Sequence, residues 1–405
     1  MAGCAVTFVL SACGGGGGSS SGDGGGAPAN SPTPRPTSTP RPTSSPRPTS
    51  TSAPGTRSAT PTASKSTPTG TPTSQPTATD VPTPVTVTVY SGQSIRDAAK
   101  NVPDGGIVVV APGTYRAVVL ESGDLQGSVT LFADVTGEFS NSPAAPVTIQ
   151  AGSGDTAAIE AVEQVALGID GFTLQGGTKA GFLCTGCSGT TVQDCTVTGS
   201  SGDAVRFESS DAMLVFNNLL IGNKGAGVRA LGTTNLEVIN NTIYQNSANG
   251  IVLSFDFNQN ASTDGLVVNN ILTKNAPLGI VVDPGPPSSL DGYSGDFNLN
   301  TNGYSGASPG SSDSTSDPLF IFPTGGDFRL ATGSQAIDSG TDDIDSDLVD
   351  ELEQLTTQSD GTLDTPPLDL GYHYIAPIPT PTRVPKPTKT PIRTPTRTPT
   401  ATHTP

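Results

Sequence analysis

The chain has 405 residues, with 49 Gly, 37 Pro, 33% hydrophobic residues and no Trp. Fifteen prolines precede residue 85 and nine follow residue 375, so the globular sequence is the stretch between them. That stretch holds 34 acidic against nine basic residues. The balance of −25 repels phosphate and excludes a nucleic-acid partner, and no run of 18 apolar residues exists to span a bilayer as a helix.

Residues 1–13 are short and mostly apolar and end in Leu10-Ser11-Ala12-Cys13, followed by Gly14. Small residues before a Cys resemble the lipobox of bacterial lipoproteins, so Cys13 is the expected lipidation site and the mature N-terminus. No Lys or Arg precedes it, which departs from the usual signal pattern. Contact with the membrane is then through the lipid anchor only, and the protein is expected to be exported, at the cell surface or beyond it. Residues 14–84 are Gly-rich and then repeat Thr-Pro-Arg-Pro-Thr-Ser from Thr33 and Thr39. Such a tract cannot bury enough apolar area to offset chain entropy and reads as a disordered, extended stalk. Residues 376–405 are built the same way, with five basic residues and no acid.

Residues 85–375 form the folded domain. The segment Ser94–Val102 has helical spacing and a Ser94 cap, and reads as a helix closing one end. A strand at Ile107–Val110 and a turn at Pro112-Gly113-Thr114-Tyr115 follow. Then a repeat begins. Segments starting at Val192, Val215, Val238 and Val267 align at spacings of 23, 23 and 29 residues. A second column starts at Gly181, Ala204, Gly227, Gly250 and Gly279, and both columns break at one six-residue insertion near Ser254–Thr263. Each unit holds short alternating strands, and no unit buries its apolar side alone. Coils of this length with three strands predict an all-β fold, a parallel β-helix with an N-terminal capping helix and disordered Pro/Thr-rich tails. Asn217, Asn240 and Asn269, with their neighbours, fall at a turn, where Asn tolerates a left-handed backbone and bonds to the next coil. They are expected to form a structural ladder.

The residues Ser94–Tyr115 resemble the entry of pectate-lyase-like right-handed parallel β-helix proteins, and the repeats through Val282 resemble the same superfamily, which implies a right-handed single-stranded parallel β-helix. Asp317-Pro318-Leu319-Phe320, Asp327–Leu330, Gly333–Gly340 and Asp369–Tyr374 resemble the end module of bacterial choice-of-anchor Q surface proteins, here about residues 313–375. The superfamily contains lyases, glycosidases, epimerases and adhesins, so the resemblance implies a polysaccharide or cell-envelope glycan as partner without assigning a reaction. A non-catalytic spacer or adhesin is the alternative, and a monomer is expected. The paired Asp and Gly-His-Gly step of polygalacturonase-like members are missing from the repeats.

The chemistry-bearing residues are few. The two histidines, His373 and His403, support neither a zinc site nor a triad, and His373 reads as structural. Cys184 falls in the core column of Phe207, Ala230 and Leu253. A disulfide is open to Cys184–Cys187 or Cys187–Cys195. Asp343, Asp345 and Asp347 alternate in an acidic stretch, so calcium is the ion to expect if any is bound, although the spacing is not that of an EF-hand. Finally, Arg206 and Arg229 point outward one coil apart in the Gly-apolar-X-apolar column, with Lys224, Asp203 and Glu208 beside them. Resemblance places the substrate groove on such a column. Arg206, Arg229 and Lys224 are therefore the candidate contact for an anionic glycan, with Asp203 and Glu208 as secondary candidates; the alternative is that Arg206 and Arg229 pair with nearby acids.

Overall fold

A computed structural model describes residues 85–256, 258, 260–283 and 292–375. The expected signal segment with Cys13, the expected stalk and tail, and His403 lie outside the described residues. The described part is a right-handed parallel β-helix. Each coil contributes three short strands, and each strand pairs in parallel with its counterpart in the next coil. Val192 pairs with Val215 and Val215 with Val238 in one row, and Val205 pairs with Val228 in another. Sheet 1 has nine strands, from Thr86–Val89 to Ser294–Asp296. Sheets 2 and 3 have eight each, running from Gly113–Arg116 to Leu299–Asn300 and from Val118–Leu120 to Tyr304–Ser305.

Strand alternation sends every second side chain inward. Val192, Val215, Val238 and Val267 stack in one such column and are fully buried. The insertion leaves this stack intact: Val228 still pairs with Ile251 and Glu237 with Leu266 on either side of it. The extra residues are held in the turn by Asp256. Its carboxylate accepts from the Asn258 and Asn260 backbone N–H groups and from Ser209 Oγ of an earlier coil.

Helix α1 (Ile95–Asn101) closes the first coil, with Ser94 accepting from the Asp97 N–H as its cap and Ile95 and Ala99 buried. Pro112–Tyr115 corrects the sequence reading. Gly113–Arg116 is not a turn but the first strand of sheet 2, pairing with Val147–Gln150. Gly113, at φ 151°, makes the corner before it.

The asparagines divide into rows with different tasks. Asn218, Asn241, Asn270 and Asn298 point inward and are fully buried. Each backbone N–H of the first three donates to the side-chain oxygen of the next, at 2.9, 2.9 and 3.1 Å. An equivalent inner row at the next corner runs Ser200, Asn223, Asn246, Asn275, Asn302. Asn217, Asn240 and Asn269 have φ of 50–59° and turn outward. Asn269 still donates to Asn240 Oδ1, but all three mainly hold the C-terminal segment. The Asn217 amide donates to the His373 carbonyl, the Asn240 amide to that of Asp369 and the Asn269 amide to that of Thr341.

That C-terminal segment folds back over sheets 1 and 2. Helix α2 (Ser346–Leu352) and Leu368 lie on an outward apolar row of sheet 1, Phe216, Ile239 and Val268. Phe328 packs on Leu219 and Tyr244, while Leu330, Ala336 and Leu370 pack on Ile271 and Leu299 of sheet 2. The same outward rows are polar on the preceding coils, where Gln193 and Asp170 precede Phe216, and Thr196 and Thr173 precede Leu219. The segment therefore sits where burying apolar side chains stabilises it, each large one by about 2 kcal/mol, and stops where they end.

Candidate functional site

The sequence-derived candidate lies on sheet 3. Arg206 and Arg229 are register neighbours there, half-buried and outward, as the column implied. Their charges are already met. Asp203, buried, accepts from Arg206 at 2.8 Å and from Arg229 at 2.9 Å. Glu208 accepts from Arg206 at 2.6 Å and from Lys179 at 2.9 Å. The cations hold the Glu208 carboxyl below its ordinary range despite its burial. Asp203 also accepts from the Ala226 N–H at 2.7 Å, tying the next turn in place. Asp203 and Glu208 thus serve as counterions within a network that includes Lys179, which the sequence did not single out. Lys224 is exposed and has no ion pair among the described residues.

The acidic stretch does not converge. Asp345 caps α2 by accepting from the Asp347 N–H at 2.9 Å, and Asp343 is exposed. Among the described residues no group of three or more His, Cys, Asp or Glu side chains is placed to hold a metal ion. Asp343, Asp345 and Asp347 lie along the entry to α2, where the helix uses Asp345 for its own N-terminus. Cys184 and Cys187 form the disulfide, and Cys195 is a buried free thiol whose pKa burial pushes up. His373 is buried, with Nε2 2.7 Å from Asp364 and Nδ1 2.9 Å from the Gly371 carbonyl. Both ring nitrogens are engaged, so the residue is structural.

A different cluster lies at the edge of the folded-back segment. Asp170 ends the sheet 1 strand Leu167–Asp170, Asp194 occupies the left-handed corner of the next coil at φ 53°, and Glu351 comes from α2. All three line a cleft of about 800 Å³, together with Phe132, Phe139 and Tyr372. Asn217 donates to Asp194 at 2.6 Å, and Gln193 donates to Asp170 at 3.3 Å. Burial, and then the charge of Glu351, push Asp170 up to about 7. Burial, and then the charges of Asp170 and Glu351, raise Asp194 well above the carboxylate range, and burial raises Glu351. No cation pairs with these acids among the described residues. Phe139, 66% exposed and edge-on to Phe132 at 5.5 Å, offers the cleft an uncovered aromatic surface.

A carboxyl group that titrates near neutrality exists in both protonation states at working pH, which is what proton transfer to or from a hydroxyl requires. One signal of this cluster was present in the sequence: Asp194 is the acid in a column that continues as Asn217, Asn240 and Asn269. Glu351 arrives only because the chain folds back.

Comparison with known proteins follows from the stacked coils. The family model described as right handed beta helix region matches residues 157–302. Those residues form a right-handed β-helix region. The match ends before residues 313–375, so the likeness of that part to the choice-of-anchor Q module has no support in it. Among curated proteins no sequence matches. Solved β-helix structures similar to this chain include an alginate lyase from Paenibacillus sp. (13% identity, 55% of this chain and 99% of that one, TM-score 0.30). Pectate lyase Pel9A is similar at 12% identity, over 65% of this chain and 94% of that one, with TM-score 0.29. The periplasmic alginate epimerase AlgG, as a double mutant, is similar at 12% identity and TM-score 0.31, over 48% of this chain and 61% of its own length.

Proposed function

We propose that the protein is an exported β-helix that binds a polysaccharide in the cleft beside α2 and acts on it through acid–base chemistry of Asp170 and Asp194. The observation that carries this reading is the convergence of three carboxyl groups, from three separate chain segments, in one cleft with an exposed aromatic ring. The aromatic rings supply an apolar face for a sugar ring, while Asp170 and Asp194, both raised by burial and by the charge of Glu351, supply an acid and a base. The Cys184–Cys187 disulfide supports an oxidising compartment, and with it the reading of Cys13 as a lipid anchor. Labelled palmitate should enter the wild type and not Cys13→Ser; equal labelling would refute the anchor.

The test of the activity is a polysaccharide panel followed for reducing ends and for the ultraviolet absorbance of unsaturated products. Asp170→Asn and Asp194→Asn should each lower turnover by about 100-fold or more. Unchanged turnover in both variants, or no turnover on any polysaccharide, would leave the spacer or adhesin reading. A second reading places an anionic glycan at Arg206 and Arg229, favoured by their adjacent register. Such a ligand would have to displace Asp203 and Glu208, and its mark would be affinity that falls with Arg206→Ala/Arg229→Ala.

A further inference from the structure

We propose that the outward face of sheet 2 over the first four coils is a binding track for an uncharged polysaccharide lying along the helix axis and leading into the carboxylate cleft. The proposal rests on the polysaccharide reading above and names the chemical class of the chain.

The face is built from two columns. Thr114 pairs with Thr148, Thr148 with Thr173 and Thr173 with Thr196. Two residues along each strand, Arg116, Gln150, Gln175 and Thr198 form the second column in the same register. Inward alternation of Tyr115, Ile149, Leu174 and Val197 fixes both columns outward. One hydroxyl therefore recurs at each strand step, ~4.8 Å along the axis. Among the described residues none of the four column-one hydroxyls has a hydrogen-bond partner, nor does the side chain of Arg116, Gln175 or Thr198. Gln150 makes only a 3.5 Å contact with the Ala151 carbonyl.

Three features indicate a ligand rather than bare surface. On the next coil both columns turn apolar, to Leu219 and Ile221, and there the C-terminal segment covers them. The polar columns are thus the uncovered continuation of a face that is otherwise a packing surface. Both ends open into hollows: Thr114 and Arg116 line one of about 760 Å³, and Thr173 and Thr196 line the carboxylate cleft. The columns also contain no acid, in a domain whose balance is −25.

The chemistry selects the ligand. Hydroxyls and amides both donate and accept, as sugar hydroxyls do. Identical groups recurring along the axis suit a polymer laid along it. One cation, Arg116, does not neutralise a polyanion that the rest of the domain repels.

The test is affinity electrophoresis in gels containing soluble β-glucan, galactomannan or arabinan, with alginate and polygalacturonate as anionic probes. At least one neutral polymer should retard the full chain, with little dependence on salt. Thr114→Val/Thr148→Val, outside the carboxylate cleft, keeps side-chain shape and strand preference and should weaken that affinity about tenfold, the loss of one to two net hydrogen bonds. Gln150→Ala/Gln175→Ala provides a second, exposed pair should the first fail to fold. Retardation by anionic polymers alone, by none, or to an equal degree in folded variants would overturn the track. Where turnover is measurable, the Val pair should raise KM and leave kcat within about twofold, since it removes binding made equally in ground and transition states. Loss of kcat in Asp170→Asn with affinity unchanged in the Val pair would overturn the track and keep the cleft; retardation without turnover would do the reverse.

Discussion

Asn217 and His373, 156 positions apart, exchange two hydrogen bonds: the Asn217 amide donates to the His373 carbonyl at 3.1 Å, and the His373 N–H donates back to the Asn217 side-chain oxygen at 2.6 Å. Asn269 makes the same exchange with Thr341. An outward asparagine thus treats the returning chain as though it were an edge strand. Replacing Asn217 with Ala strips both bonds from a buried stretch and should cost about 1–3 kcal/mol. Amide hydrogen exchange is the measurement. The His373 N–H should lose protection while the inner-row Asn218 N–H keeps its own; equal protection at His373 would show that apolar packing alone holds the segment.

Asp170 gives a pH dependence of defined sign. Its folded pKa of about 7 lies above the ordinary 3.8, so between those values the native state binds the extra proton. Stability therefore falls as pH rises from about 4 to 7, by at most about 4 kcal/mol for this group. Asp170→Asn removes the term. Denaturant midpoints of variant and wild type should diverge, the variant gaining, as pH is raised across that window. A gap that stays constant from pH 4 to 8 would mean that Asp170 titrates like an exposed carboxyl.

The sheet 3 network should be felt in stability. Asp203 is buried and neutralises Arg206 and Arg229 together. Removing it leaves two half-buried guanidinium groups facing each other and frees the Ala226 N–H, a loss of about 3 kcal/mol. Asp203→Ala should lower the melting temperature more than Arg229→Ala does, because Arg206 still pairs with Asp203 when Arg229 is gone. Similar melting temperatures for the two would contradict the bridging role.

The inner amide row predicts a large effect from one atom group. Asn241 donates to the Val215 and Ile239 carbonyls and accepts from the Asn218 N–H, all in the dry interior. Asn241→Leu fits the volume but orphans three backbone groups, costing about 3 kcal/mol or more. Asn240→Leu, one residue away and turned outward, should cost less than half as much. Thermal unfolding of the two variants decides the order.

Period and burial alternation made the coils readable, because Val192, Val215 and Val238 repeat both spacing and chemistry. The helix at Ser94 was readable from its cap. The Pro112–Tyr115 strand was not: Pro-Gly signals a turn locally, and pairing with Val147–Gln150, more than 30 residues away, overrides it. The Arg206–Arg229 adjacency followed from the period, and their pairing with nearby acids was the alternative that the sequence already offered. Asp203 and Glu208 were visible as neighbours, while Lys179 enters from a preceding turn. The cleft was least visible, since Glu351 reaches Asp194 only after the chain has reversed over sheet 1, and no local pattern encodes that return.

The outward asparagines also set how this domain can change length. Toward the helix-capped end the coils precede these partners, so a coil added before Phe132 would lengthen the molecule and keep the cleft and the segment's anchors in place. Between Asn217 and Asn269 the rule differs. His373, Asp369 and Thr341 meet three particular coils in order, and an inserted coil would carry one asparagine a full step away from its partner. The returning segment acts as a gauge of coil number, permitting growth at the helix-capped end and forbidding it beneath itself.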